Sequence, residues 1–166
     1  MTVKMNRNSA AFSAVRFAVF ITLSVTVMAV IFVFSAQDGE QSSISSGFVS
    51  DLLRRVLSPI MPDSALAFTL KYIRKIAHVS IYFLLGLFTS LSASELSRRI
   101  GRLPLCIFAA WLVCVLYAVS DEFHQSFTAG REASLRDVLI DSAGALVSVL
   151  ITGIISFAKR KSSPVT

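Results

Sequence analysis

The chain alternates between long apolar stretches and short polar segments. Four of the stretches are long enough to cross a hydrocarbon core, which takes about 20 mostly apolar residues in helical form. They cover residues 13–35, 76–94, 104–120 and 138–158. The pattern predicts an all-α membrane protein with a four-helix transmembrane bundle over residues 13–158, an N-terminal flank (1–12) and a basic tail (159–166).

The first connection between these stretches, from Ala36 to Lys71, is the only long one. Its opening is polar and turn-like, and apolar residues then recur at every fourth position. These residues are Ile44, Phe48, Leu52 and Val56. That spacing predicts a short amphipathic helix lying on the membrane. We expect Pro59 and Pro62 to end it, and Asp63 to cap a new helix that leads directly into the second span.

The composition agrees with lipid as the main solvent. Hydrophobic residues make up 54% of the chain and the mean hydropathy is +0.70, which is too apolar for an ordinary soluble domain. An excess of 16 Lys and Arg over 10 Asp and Glu is also found in nucleic-acid-binding proteins. Here the basic residues form short clusters between the apolar stretches, as topology signals do. We therefore expect no nucleic-acid partner.

The flanking Lys and Arg residues favour a cytoplasmic location for both termini. With four spans, one side carries Lys4, Arg7, Arg16, Arg98, Arg99, Arg102, Lys159, Arg160 and Lys161. The other side carries Arg54, Arg55, Lys71, Arg74, Lys75, Arg131 and Arg136. The bias widens when Arg54 and Arg55 are set aside, because they lie at the edge of the roughly 15–20 residues from a span that matter most. The first apolar stretch exceeds the apolar core of a signal peptide, so we expect an uncleaved anchor.

Three of the four spans carry polar residues at the same membrane end. The residues are Arg74, His78, Tyr82 and Gly86 on the second span, Tyr117, Asp121 and His124 on the third, and Asp137, Asp141, Gly144 and Ser148 on the fourth. Spacings of three and four place each set on one helix face, provided that the third helix continues past Ser120. Antiparallel neighbours would bring the three stripes together at the outer face.

Several of these residues also have a purely structural interpretation. Ser134 and Asp137 match a capping box, and Gly86 and Gly144 suit close contact between helices. Asp141 is harder to explain, because a carboxylate inside an apolar segment costs about 3 kcal/mol and usually faces a partner in the bundle. That partner could be a nearby arginine, which would make the pair structural, or the carboxylate could line a functional polar cavity.

The run YAVSDEFHQSFTAGREASLRDVLIDSAG, from Tyr117 to Gly144, resembles the signature of the VanZ-like family of bacterial membrane proteins. FSAQ at 34–37, two following serines and RKIAHVSIYFLLG at 74–86 resemble its other blocks in order, so the resemblance covers residues 34–144. Ala36 and Ala129 depart from the expected pattern. The resemblance implies a multi-pass protein of the bacterial inner membrane and cell envelope. The family is named after a member associated with low-level resistance to teicoplanin, an acylated glycopeptide, and has no agreed biochemical activity.

Three hypotheses follow for the polar stripes. The first is binding or shielding of a membrane lipid headgroup, a lipid-linked cell-wall precursor or an acylated glycopeptide. Its ligand-binding residues would be Arg74, His78, Gln125, Arg131, Asp137 and Asp141. The second is a membrane enzyme with Glu122 and His124 as general acid and base, in which Arg131 stabilises an anion and Asp121 or Asp141 orients a histidine. The third is a charged network that only stabilises the bundle.

Metal and cofactor binding have weaker support in the sequence. The two histidines and several carboxylates permit a metal site, but there is no close ligand pair such as His-x-x-x-His. We therefore expect neither a metal nor a cofactor. The sequence does not indicate an oligomeric state.

Overall fold

The computed structural model describes residues 7–37, 39–129 and 133–162, without the side chains of 7–10, 39–46, Lys71 and Arg74. The described residues form five helices, which are α1 (Arg7–Ser35), α2 (Gly39–Leu57), α3 (Asp63–Ile100), α4 (Leu103–Gln125) and α5 (Leu135–Ser162). Four segments are long and apolar enough to cross a membrane, namely Ala11–Ser35, Lys75–Ile100, Leu103–Gln125 and Leu135–Ser162. The predicted all-α fold with four transmembrane helices is confirmed, and the chain is a multi-pass membrane protein.

Helix α3 lies at the centre of the bundle and contacts each of the other four helices. A buried core joins α1, α3, α4 and α5. It consists of Ile31, Tyr82, Leu85, Cys114, Ala118, Val138 and Ala145. Many other large apolar side chains are exposed on the spans, among them Phe108 and Ile154. Such side chains meet lipid in a bilayer, so packing between helices needs only the narrow core that the structure contains.

Two glycines allow α3 and α5 to approach closely. A Cβ atom on Gly86 would lie 2.5 Å from the carbonyl oxygen of Ala145, and one on Gly144 would lie 2.8 Å from the carbonyl oxygen of Val79. Both distances are shorter than any normal contact, so only glycine fits at these positions. The prediction that Gly86 and Gly144 permit close helix contact is confirmed, and this contact sets the distance between the polar faces of α3 and α5.

A tight turn connects α3 to α4 at one end of the bundle. Gly101 ends α3 in the left-handed region, with φ of 76°, and its N–H donates to the carbonyl oxygen of Ser97 at 2.9 Å. Near this turn, Arg16 of α1 is paired with Glu95, and Arg160 of α5 donates to Ser97. We call this the terminal end of the bundle. The opposite end, where α3 and α5 begin their spans, is called the site end.

The first connection is more helical than the sequence suggests. Helix α2 begins at Gly39, so the polar opening that was predicted to be turn-like is helical from Gly39 onward. It ends at Leu57, as expected from the prolines that follow. The side chains of Phe48, Leu52 and Val56 are exposed, which agrees with an amphipathic helix lying on the membrane.

The start of α3 differs from its prediction. Pro62 occupies the N-cap position with φ of −59° and ψ of 144°, and no side chain caps the helix there. The prediction that Asp63 caps α3 is therefore wrong. Asp63 is instead the first helical residue, where its negative charge interacts favourably with the helix dipole.

Candidate functional site

Helices α3, α4 and α5 each place an ionisable side chain at one point of the site end. Nδ1 of His78 lies 3.5 Å from Oδ2 of Asp141, and the possible ligand atoms of His78, Asp121 and Asp141 all lie within 4.8 Å of one another. Asp121 is 5% exposed and Asp141 is 2% exposed, whereas the His78 side chain is partly exposed. Helix α4 runs to Gln125, as the prediction required, and one ionisable residue of each predicted stripe meets the other two here.

Two further polar side chains border these three residues. Nε2 of Gln125 donates a hydrogen bond of 3.1 Å to Oδ2 of Asp121. Tyr82 is fully buried, and its hydroxyl faces Asp121 and Asp141 without a hydrogen bond of regular geometry to any described residue. We call His78, Tyr82, Asp121, Gln125 and Asp141 the polar cluster.

The beginning of α5 is held by a carboxylate of α4. The buried Glu122 accepts a 2.8 Å hydrogen bond from the backbone N–H of Ser134, whose carbonyl oxygen accepts from the N–H groups of Asp137 and Val138. Ser134 is thus the N-cap residue of α5. In the predicted capping box, Asp137 would accept the Ser134 N–H, and Glu122 takes this role instead. The Asp137 carboxylate accepts a 3.0 Å bond from Nζ of Lys75 at the exposed edge of the bundle.

This contact predicts a difference between two substitutions of Glu122. Glu122→Ala removes the acceptor of a part-buried N–H, so we expect the free energy of unfolding to fall by about 1–3 kcal/mol. Glu122→Gln keeps an acceptor oxygen and should lose less than half as much. Thermal unfolding in detergent measures both. An equal loss of stability in the two variants would contradict the capping role. A Glu122→Gln variant that is as stable as the wild type but has lost its function would support the role of Glu122 as a general acid or base.

His124 points towards α1 rather than into the polar cluster. Its ring stacks on Phe32 with 4.7 Å between centroids and 26° between planes, and its buried Nε2 has no hydrogen-bond partner among the described residues. Two turns earlier, the hydroxyl of Tyr117 donates to the carbonyl oxygen of Met28 in α1. Glu122 and His124 therefore contact different helices. The histidine that contacts a carboxylate of the polar cluster is His78.

Two predicted binding residues cannot be placed in the site. Arg131 lies outside the described residues, and for Arg74 only the backbone, within α3, is described. Their roles remain predictions. Of the other predicted binding residues, His78, Gln125 and Asp141 belong to the polar cluster, and Asp137 lies beside it in its pair with Lys75.

The structure also reveals a charged contact at the terminal end that the sequence analysis missed. Glu95 is 6% exposed, accepts a 2.8 Å hydrogen bond from Oγ of Ser13, and is paired with Arg16. Nε of Arg98 lies 3.4 Å from the same carboxylate. We call these four residues the Glu95 network. Glu95 lies in a serine-rich, apolar run of the sequence. The predicted second span ended at Ser94 and therefore excluded Glu95.

Comparisons with known proteins support the resemblance seen in the sequence. A family model described as VanZ/LLP1 matches residues 20–156, a range that includes the whole polar cluster and Glu95. No curated protein and no solved structure matches the chain. Because the model covers most of the 166 residues, the chain belongs to the VanZ/LLP1 family.

Proposed function

We propose that this protein binds the phosphate-bearing headgroup of a membrane lipid or of a lipid-linked cell-wall precursor, at the outer face of the bacterial cytoplasmic membrane. The observation that carries the proposal is the convergence of His78, Asp121 and Asp141, whose possible ligand atoms lie within 4.8 Å of one another. Three helices contribute these side chains, and the headgroup would bind among them.

The cost of burying these groups supports a role beyond stability. A carboxylate within a membrane span costs up to about 3 kcal/mol, the value at the bilayer centre, and the bundle contains two next to each other. Polar groups that only stabilise a fold usually satisfy one another. The hydroxyl of Tyr82 is fully buried and lacks a regular partner among the described residues, so the polar cluster suits an additional polar group.

The depth of the polar cluster also suits a headgroup. His78 follows Lys75, the first residue of its span, by one turn, or about 5 Å of helix. Asp141 follows Leu135 by six residues, or about 9 Å. A headgroup from the adjacent leaflet can therefore reach these side chains without crossing the bilayer centre. The distribution of Lys and Arg in the flanks favours the outer leaflet.

Lipid retention by the purified protein tests the proposal. Wild-type protein from native membranes should carry a phosphate-bearing lipid, identified by mass spectrometry. Asp141→Asn removes the carboxylate that contacts His78 in the polar cluster and should retain about tenfold less of the lipid, which corresponds to about 1.4 kcal/mol of binding free energy. Asp51→Asn is the matched control, because it makes the same change at an exposed carboxylate of α2, outside the polar cluster. Equal retention by all three proteins would overturn the proposal.

The family relationship suggests a physiological consequence. We propose that headgroup binding changes the access of an acylated glycopeptide such as teicoplanin to its lipid-linked target. Cells that lack the protein should then be more susceptible to the acylated glycopeptide than complemented cells. Their susceptibility to a glycopeptide without an acyl chain should change less. An unchanged susceptibility to both compounds would remove this part of the proposal.

A membrane enzyme is the second candidate function, and the contact between His78 and Asp141 favours it. A carboxylate beside an imidazole orients the ring for general acid–base chemistry. An enzyme would convert the bound lipid, so the products of purified wild-type protein and His78→Gln should be compared by mass spectrometry. Lipid that is retained by both but cleaved only by the wild type would favour the enzyme over the binding protein.

A further inference from the structure

We propose that the polar cluster is a divalent metal site. Nδ1 of His78 and one carboxylate oxygen each from Asp121 and Asp141 would bind a transition-metal ion such as Zn²⁺ or Mn²⁺. The inference deepens the proposed function, on which its physiological meaning rests, because the ion would bind the phosphate of the headgroup.

The geometry of the three side chains is close to that of a metal site. Zn–N and Zn–O bonds of about 2.0–2.2 Å place neighbouring ligand atoms of a tetrahedral ion about 3.4 Å apart. The distance of 3.5 Å between Nδ1 of His78 and Oδ2 of Asp141 already fits this value. The ligand atoms of all three residues lie within 4.8 Å of one another, so closure around an ion shortens the longest of these distances by about 1.4 Å at most. One imidazole and two carboxylates suit Zn²⁺ or Mn²⁺.

The surroundings provide the groups that orient metal ligands. Gln125 donates to Oδ2 of Asp121, which fixes the carboxylate and leaves its other oxygen for the ion. Hydrogen bonds of this kind typically support metal-bound carboxylates. The buried Tyr82 hydroxyl is an independent observation that points to a ligand, because it faces the two aspartates without a regular hydrogen bond to the described residues. In the proposed site it would donate a hydrogen bond to an oxygen held by the ion.

The negative charges of the site indicate what a bound divalent ion would do there. Asp121 and Asp141 are buried next to each other, with the buried Glu122 nearby, so the site alone would repel a phosphate group. Nζ of Lys75, at the same end of the bundle, is bonded to Asp137. A divalent ion balances two carboxylates. With three protein ligands it also keeps a fourth position open, which a phosphate oxygen can occupy. The ion thus explains how an acidic cluster binds an anionic headgroup.

Metal binding by the purified full chain tests the inference. After removal of any polyhistidine tag, equilibrium dialysis against Zn²⁺ and then Mn²⁺, with elemental analysis, should give about one ion per wild-type chain for at least one metal. His78→Gln and Asp141→Asn should bind it about 100-fold more weakly, and Gln125→Ala about tenfold more weakly, within the range known for ligand-supporting residues. Asp51→Asn, which changes an exposed carboxylate of α2 outside the site, should match the wild type. Absence of both metals from the wild type, or equal affinity in His78→Gln, would overturn the inference.

A measurement on the wild type alone covers the case in which the variants do not fold. Added metal should raise its unfolding temperature and a chelator should reverse the rise, because a ligand that binds only the folded state stabilises it. No shift with either metal would contradict the inference. Lipid retention with and without chelator separates the two proposals. Retention without metal would leave only the proposed function, and metal binding without lipid would leave only the metal site.

Discussion

Gly86→Ala should be among the most destabilising substitutions in the bundle. The added methyl group would lie 2.5 Å from the carbonyl oxygen of Ala145 and 2.9 Å from its Cα atom, so α3 and α5 would have to move apart. Overpacking of this kind costs about 1–3 kcal/mol or more, which exceeds the gain of about 1 kcal/mol from replacing glycine by alanine in a helix. Thermal unfolding in detergent, together with the yield of folded protein, measures the loss.

The same substitution should weaken the polar cluster. Asp141 lies one turn from Ala145 on α5, and His78 lies two turns from Gly86 on α3, so separated helices would lengthen the contact between His78 and Asp141. Gly153→Ala is the control, because a Cβ atom there would be 3.4 Å from Cγ2 of Ile107, an ordinary contact. That variant should be as stable as the wild type or slightly more stable. Equal stability of Gly86→Ala and Gly153→Ala would contradict the close approach of α3 and α5.

Substitutions in the Glu95 network should reveal a strong coupling between α1 and α3. The Glu95 carboxylate is buried and accepts bonds from Ser13 and Arg16, so we expect Glu95→Gln to lower the free energy of unfolding by about 1–3 kcal/mol. We expect no larger loss of stability, because the Arg16 side chain is 38% exposed and solvent screens part of its interaction with Glu95. Unfolding in detergent of the single variants and the double variant with Arg16→Met measures the coupling.

The double-mutant cycle measures the interaction free energy between Arg16 and Glu95. Coupling between Arg16 and Glu95 should exceed 0.5 kcal/mol, the usual lower limit for residues in contact. Asp51→Asn changes an exposed carboxylate of α2 and should alter stability by less than about 0.5 kcal/mol. Effects of Arg16→Met and Glu95→Gln that simply add would show that the pair does not link the two helices.

The fold was largely predictable because hydrophobic length and helical spacing are local properties. Four apolar stretches gave the four spans, and spacings of three and four residues gave the faces that carry His78, Asp121 and Asp141. The ends of helices were less predictable. Helix α3 continues past Ser94 to Ile100, which places Glu95 in the bundle rather than in a loop. Because the predicted second span excluded Glu95, the Glu95 network between α1 and α3 was not predicted.

Contacts between residues that are distant in the sequence could not be predicted from the spacing of polar residues along the chain. The spacing of Asp121 and His124 puts both on one broad face of α4, but the position of α1 directs His124 onto Phe32. The capping box likewise fits the local sequence, yet Glu122, twelve residues before Ser134, accepts its N–H. Both outcomes depend on which helices are neighbours, and no local spacing contains that information.

The length of α3 has a structural consequence. Its 38 residues form one continuous helix of about 57 Å, with α2 packed against it and the narrowest contact with α5 at Gly86. About 35 Å of helix lies on the Asp63 side of that contact and about 21 Å on the Ile100 side. Helix α3 therefore joins, in one continuous element, its contacts with α2 and its close contact with α5 at Gly86.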